Sequence, residues 1–411
     1  MHIVMVSDLE TQGGAAIATS RLARALCNLG HRITRIVNKG DGEEHSWQTI
    51  QLSFAPYDRM ARYVTPAPVF RMAARGSYRL KLANLLKRIR PEAINIHNLH
   101  GAASLGWTPA LAETCSKYAP TFWTLHDMWS FTGRCAYSFE CRRFLEGCDA
   151  ECPTPHEYPA LAEKLISPSW RMRQRILDSD IGLTAITPSR WLAQEAKTGL
   201  WAGRRVVSIP NGLPLDVYQP LPRALAREAL GIRAQGVVLL IVAVRLGERR
   251  KGGDILAAAM PHITQRPLTI LTLGMGALAI KGEGLNVHSL GYVDHEQTRV
   301  LAYNAADLLV HAAPVDNLPN VVMESIACGT PVVAFPVGGV PEMVKPGKTG
   351  WLANRVCSVS FAAAVGHALS DLKRLSGLRK ACRIFAEGEW SDEKQAQQYF
   401  SLFNGKEMMD N

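Results

Sequence analysis

Two carboxylates, Asp316 and Glu324, stand eight positions apart in Asp316-Asn317-Leu318-Pro319-Asn320-Val321-Val322-Met323-Glu324, which reads as a loop entering a helix; Gly329-Thr330-Pro331 then leads into a strand. An ionised Asp or Glu only accepts hydrogen bonds, so a carboxylate at a strand mouth can take both hydroxyls of a ribose or another sugar. Upstream, Ile241-Val242-Ala243-Val244 empties into Arg245-Leu246-Gly247-Glu248-Arg249-Arg250-Lys251-Gly252-Gly253. Cations fixed beside glycines at the carboxyl end of a strand suit a diphosphate, with ordinary surface charge as the alternative. Gly13 and Gly14 lie between a strand and a helix. Glycines there let backbone N–H groups approach a phosphate at the positive helix end, or serve only as turn formers.

Trp123-Thr124-Leu125-His126-Asp127-Met128-Trp129 puts a histidine at the end of a short apolar strand, and Asp127 can orient it or hold the following turn. His97 and His100 follow the strand at 93–96. Cys135, Cys141, Cys148 and Cys152 place four thiols within 18 residues, just ahead of Pro153. In a reducing compartment, clustered thiols suit a tetrahedral metal, most simply structural zinc. The spacing is not the paired CxxC of a zinc ribbon, so two disulfides or four free thiols stay open. Asp178-Ser179-Asp180 has the DxD form of a manganese motif, but between a basic helix and a strand it reads as helix-end and turn chemistry.

The elements that must carry these residues are short apolar strands alternating with helical stretches. Residues 2–7, 93–96, 121–125 and 181–186 read as strands of one half; residues 237–244, 268–273, 308–311 and 331–335 read as strands of a second. Ser208-Ile209-Pro210-Asn211-Gly212-Leu213-Pro214, with Pro220 and Pro222 following, is a turn-rich linker between them. The expected architecture is two doubly wound α/β domains: 1–208 with a cysteine-rich insert at 130–155, then 209–388, and a final helix over 389–411.

At 411 residues, 47% hydrophobic and 20% charged, the composition excludes a disordered or collagen-like chain and is long enough for two cores. No run of 18 apolar residues is present, the start lacks the pattern of a signal peptide, and nine cysteines do not read as a secreted disulfide framework. A cytoplasmic protein is expected. The 46 Lys and Arg against 36 Asp and Glu leave a net charge of +10, and +8 of it falls in residues 1–205. Nine basic residues and no acid occupy 59–90, interleaved with Val69, Phe70, Met72, Tyr78, Leu80, Leu82, Leu85 and Leu86. Such a segment suits an anionic membrane surface, or is a solvated helix face; no nucleic-acid motif accompanies it, and no nucleic acid is expected as a partner.

Taken together, Asp316 to Glu324, Arg245 with Lys251, Asn211-Gly212 and the Gly13-Gly14 loop resemble the family 4 retaining glycosyltransferases of the GT-B fold. Val337-Gly338-Gly339-Val340-Pro341-Glu342 and Gly347-Lys348-Thr349-Gly350 resemble the segments that follow in that family. The string from Leu125 to Pro153 resembles a subgroup from bacterial exopolysaccharide clusters, the colanic-acid type included. The resemblance implies two Rossmann-like domains facing each other across a cleft. It also implies a nucleotide-sugar donor, UDP- or GDP-linked, held by Gly13, Gly14, Asn211, Arg245, Lys251, Asp316, Asn317, Leu318 and Glu324. Glu324 would hold the ribose, Arg245 and Lys251 the diphosphate, and Asp316 the hydroxyls of the transferred sugar. His126 would lie beside that sugar, so that His126, Asp316, Arg245 and Lys251 form the catalytic set, with His97 and His100 on the acceptor side.

No cofactor is expected for catalysis, and a lipid-linked glycan acceptor would place the protein at the inner face of the membrane. The family carries Glu, seven residues, Glu; here the first is Asp316, one methylene shorter, which puts the donor sugar or its seating in question. The rival readings are a sugar-nucleotide epimerase on the same fold and a non-catalytic scaffold.

Overall fold

The apolar runs of each half become parallel strands. A computed structural model describes residues 1–52, 67–100, 107–179, 181–233, 236–265, 267–280, 282–372 and 377–406, with backbone alone over 67–74. Two compact units are present: Met1–Asn211 with Glu393–Asn411, and Gly212–Asp392.

Unit 1 carries β1 (His2–Leu9), β2 (Arg32–Lys39), β3 (Gln48–Gln51), β4 (Ala93–Ile96), β5 (Thr121–Thr124), β6 (Thr184–Thr187) and β7 (Val206–Ser208), in the sheet order β3-β2-β1-β4-β5-β6-β7. Every pairing is parallel. Ile3, Val4, Met5 and Val6 are all fully buried, because helices cover both faces: Val4 and Val6 enter one core with Ile94, Trp123 and Trp201, while Ile3 and Met5 enter another with Leu22 and Leu26. The second core also takes Ala396, Tyr399, Leu402 and Phe403 from the helix Asp392–Phe403, and Tyr399 Oη meets Thr124 Oγ1 at 3.2 Å.

Pattern reading misses β2, whose Arg32, Thr34 and Arg35 break its apolar run. Arg35 is nonetheless fully buried, its guanidinium donating to Ser7 Oγ, Ser20 Oγ and the Leu9 and Glu10 carbonyls, so an internal polar network replaces water.

Unit 2 carries β8 (Val237–Arg245), β9 (Leu268–Met275), β10 (Leu285–Ser289), β11 (Leu308–His311), β12 (Val332–Ala334) and β13 (Gly350–Leu352), in the order β10-β9-β8-β11-β12-β13, again all parallel. Val238 and Leu240 face one core with Tyr303 and Ile326; Leu239 and Ile241 face the other with Phe335 and Phe361. In each unit the chain starts mid-sheet and later reverses direction, between β1 and β4 and between β8 and β11. Open parallel sheets leave a crevice at the carboxyl ends of such strands.

The basic stretch 59–90 falls partly on the helix Ala67–Ile89. Residues 59–66, and the side chains up to 74, Arg71 among them, lie outside the described residues. Beyond them the helix is two-faced: Tyr78, Leu82 and Leu86, four apart, are buried, while Arg75, Leu80, Lys87 and Arg88 are exposed. Arg79 Nη2 pairs with Glu113 at 3.2 Å.

Candidate functional site

In unit 2 the residues singled out from the sequence flank the reversal between β8 and β11. The β8–β9 register shifts between Val242 and Arg245, and Arg245 emerges exposed at the strand end, with no carboxylate partner among the described residues. A single 3-10 turn, Arg249–Lys251, follows and closes on Gly252 at φ 74°. A Cβ at Gly252 would lie 1.9 Å from the Ala312 carbonyl oxygen, so only glycine allows this turn to press against the end of β11.

That approach sets Lys251 Nζ 2.7 Å from Asp316 Oδ2. Asp316 is buried, its Oδ1 accepts the Asn317 N–H at 3.0 Å, and His311 Nε2 stands 3.5 Å from Oδ2. Burial opposes ionisation here, but Lys251 and then His311 outweigh it and hold the carboxyl far below the usual carboxylate range.

Asn317 and Leu318 are buried behind Asp316, and the helix Asn320–Ala327 carries Glu324. Glu324 is buried, and Tyr303 Oη donates to its Oε2 at 2.7 Å. Asn211, expected with this group, ends the first of the two stretches of unit 1 and is buried. Sequence reasoning missed Tyr303 and His311: one lies inside a helix and the other ends a strand, and neither position carries a motif.

In unit 1 the histidines come together at the carboxyl ends of β4 and β5. His97 Nδ1 and His126 Nε2 are 3.0 Å apart. His97 is buried, and its Nε2 has no partner among the described residues. Burial pulls His126 down to about 4, with His100 adding to the shift and Asp127 opposing it; burial, then His126, holds His97 well below the ordinary imidazole range. Both rings are therefore neutral at pH 7, sharing one N–H.

Asp127 serves its neighbours: Oδ1 accepts from the Trp129 N–H at 2.9 Å, capping the 3-10 turn Met128–Ser130, and Oδ2 meets His100 Nε2 at 3.0 Å. His100 Nδ1 in turn meets Tyr158 Oη at 3.2 Å. Gly13, at φ 91°, precedes the helix Gly14–Asn28, whose first carbonyl bond is Ile17 N–H to Gly13 O at 3.0 Å.

A group the sequence did not signal lies just beyond the carboxyl ends of β1 and β2. Ligand atoms of Glu10, Asp41 and His45 all fall within 4.8 Å of one another, a grouping able to hold a cation. His45 Nε2 already meets Asp41 Oδ2 at 3.0 Å, and Trp47 Nε1 and Thr49 Oγ1 donate to Glu10 Oε1. The chain separation hides this cluster, since only the β1–β2–β3 pairing assembles it.

The four cysteines of the insert are all free thiols. Burial pushes Cys135 up to about 12 and Cys148 up to about 11, and Cys141 and Cys152 add to both shifts. No three of the sulfurs lie within 4.8 Å of one another. Asp178 ends the helix Ile166–Asp178 and pairs with Arg204 Nη2 at 2.8 Å, while Asp180 lies outside the described residues.

Residues 12–217 match the family described as Glycosyltransferase Family 4, and residues 237–371 match the one described as Glycosyl transferases group 1. The chain is 27% identical over 367 residues to the putative colanic acid biosynthesis glycosyl transferase WcaC of Escherichia coli K12, covering 85% of this chain and 87% of that one. Among solved structures it is similar to sucrose-phosphate synthase of Thermosynechococcus elongatus, with a TM-score of 0.73 at 20% identity and 98% of each chain covered. It is also similar to Anabaena Alr3699/HepE, solved in complex with UDP-glucose, with a TM-score of 0.67 at 18% identity, covering 98% of this chain and 100% of that one.

Proposed function

The chain belongs to glycosyltransferase family 4, and from that membership we propose that it moves a sugar from a UDP- or GDP-sugar, with retention of configuration, onto a lipid-linked glycan in bacterial exopolysaccharide or surface-polysaccharide synthesis. It is a glycosyltransferase, and its fold is GT-B, two Rossmann-like domains. The observation that carries the reading is the grouping of Arg245, Lys251, Asp316 and Glu324 around the β8/β11 reversal.

Arg245 and Lys251 stand ready for the diphosphate, whose negative charge grows as the bond to the sugar breaks. Fixed cations meet that charge without a divalent ion. Glu324, with Oε2 held by Tyr303, takes ribose hydroxyls. Asp316, kept anionic by Lys251, takes hydroxyls of the transferred sugar. Asn211, Asn317, Leu318, Gly13 and Gly14 complete the donor set, and His126 acts on the sugar as a neutral imidazole steadied by His97. His100 belongs to the acceptor side.

The likeness to WcaC supports the polysaccharide setting, and the UDP-glucose bound by HepE makes nucleotide sugars the donors to try first. The exposed cations Arg75, Lys87 and Arg88 support contact with an anionic membrane surface. No helix among the described residues is long and apolar enough to cross a membrane.

A thermal-shift and calorimetric titration of wild type beside Glu324→Ala, with a panel of nucleotides and nucleotide sugars, tests the donor site. Stabilisation of wild type alone by one base supports it by mass action. Binding of no nucleotide by either protein overturns it.

A further inference from the structure

Between β5 and the helix Ile166–Asp178 the chain runs from residue 125 to 165 with three 3-10 turns, Met128–Ser130, Arg143–Leu145 and Glu163–Leu165, as its only helices. So long an irregular segment is uncommon in a compact domain, and ordering it is costly in entropy. Yet it is built into the core: Phe131 and Phe144 are fully buried, and Trp170 Nε1 donates to the Phe144 carbonyl at 3.2 Å.

Arg134 in this segment and Arg173 on the helix that follows it are both buried, each 2% exposed. Arg134 donates to the carbonyls of Glu157, at 2.6 Å, Pro159, at 3.1 Å, and Thr154, and its Nε has no partner. Arg173 donates to the carbonyls of Trp129, at 2.7 Å, and Ser169, at 2.9 Å, with its guanidinium 4.1 Å above the Trp129 ring. Neither has a carboxylate in ion-pair range among the described residues. Buried guanidinium groups met mainly by carbonyls, with no directly paired carboxylate, are expensive.

Arg173 Nη1 also lies 3.5 Å from the carbonyl of Gly133, the residue that contacts Cys148. The Gly133 N–H donates to Cys148 Sγ at 3.2 Å, the kind of bond that supports a thiolate, and a Cβ at Gly133 would sit 2.5 Å from Cys148 Cβ.

We infer that Cys135, Cys141, Cys148 and Cys152 bind one thiophilic divalent ion, zinc in the first instance, which staples this segment to unit 1. Binding converts four thiols and one M²⁺ into a tetrathiolate centre of charge −2, with four protons released to solvent. Arg134 and Arg173 together carry +2 and neutralise it. Tetrahedral metal–sulfur bonds of about 2.3 Å set the sulfurs about 3.8 Å from one another, so ligation draws them closer than the metal-free thiols, no three of which lie within 4.8 Å of one another. The inference is independent of the glycosyltransferase reading, because it concerns the support of the fold.

The test uses the full chain purified without chelator, with metal measured by elemental analysis. One zinc per chain is expected, lost in both Cys141→Ser and Cys148→Ser and kept in Cys357→Ser, whose thiol is exposed and remote in sequence. Cobalt(II) titration of metal-depleted wild type needs no variant and should give the absorption of tetrahedral thiolate cobalt, saturating at one equivalent. Folded wild type that takes up neither ion, zinc retained equally by all three variants, or two intact disulfides in the insert would each overturn the proposal.

Discussion

Lys251 and Asp316 leave the carboxyl ends of two adjacent strands, β8 and β11, and meet at 2.7 Å. The ammonium is partly open to solvent while the carboxylate is buried, so the pair presents a cation outward on an anionic anchor. Lys251 can then serve a diphosphate without leaving Asp316.

Lys251→Met removes the ammonium from the buried Asp316 carboxylate, which keeps the Asn317 N–H and the neighbouring His311. A fully buried pair so broken costs about 3–5 kcal/mol; because Lys251 is 23% exposed, on the order of 2 kcal/mol is expected in the urea midpoint. Turnover should fall by about 100-fold or more. Unchanged turnover would remove Lys251 from the site. In Asp316→Asn, nucleotide affinity should hold within a few-fold while kcat falls, since the partner proposed for it is the transferred sugar and not the nucleotide.

Tyr303→Phe removes one hydrogen bond to a buried carboxylate and little else. The loss is about 1.5–3 kcal/mol for a bond to a charged group, read as a roughly tenfold or greater weakening of nucleotide Kd by calorimetry. A Kd equal to that of wild type means that Glu324 does not depend on Tyr303 for its position.

The His97–His126 pair makes stability pH-dependent. Folded His126 titrates at about 4, below the 6.5 of an unperturbed histidine, so the unfolded chain binds more protons between those values. Stability is full above pH 6.5 and declines as pH falls towards 4, by on the order of 3 kcal/mol from this group. Asp316 acts in the same direction but at lower pH: its folded value lies far below the carboxylate range, so its contribution is full above the unfolded value and is lost progressively as pH falls below it. Urea midpoints at pH 7.5 and pH 5 should differ less in His126→Asn than in wild type. Equal pH slopes would contradict the buried neutral pair.

Membrane contact rests on the exposed cations of the helix Ala67–Ile89. Sedimentation with anionic vesicles should weaken with salt and with Arg75→Gln, Lys87→Gln and Arg88→Gln combined, each cation being worth about 1 kcal/mol at the surface. Equal binding of neutral and anionic vesicles by wild type would refute it. Arg79 is a poorer choice, because it is tied to Glu113.

Much of this protein could be read along the chain. Strand-length apolar runs ending in Gly, Arg and Asp announce α/β units, because the period of burial and the special backbone needs of a strand-to-helix turn are local properties. The placement of Arg245 at a strand end, of Lys251 in the turn after it and of Glu324 on the helix after Pro319 was legible for the same reason. β2 was not, since Arg35 is hidden by a network drawn from Ser7, Ser20 and two carbonyls remote in sequence. The partner of His126 was not legible either: the adjacent Asp127 suggested itself, but β4 pairs with β5 and delivers His97 instead. Tyr303 on Glu324, the Glu10–Asp41–His45 cluster and the burial of Arg134 and Arg173 were invisible on the same ground. Side-chain partners are set by strand order and register, and those are fixed by non-local packing that no window of sequence contains.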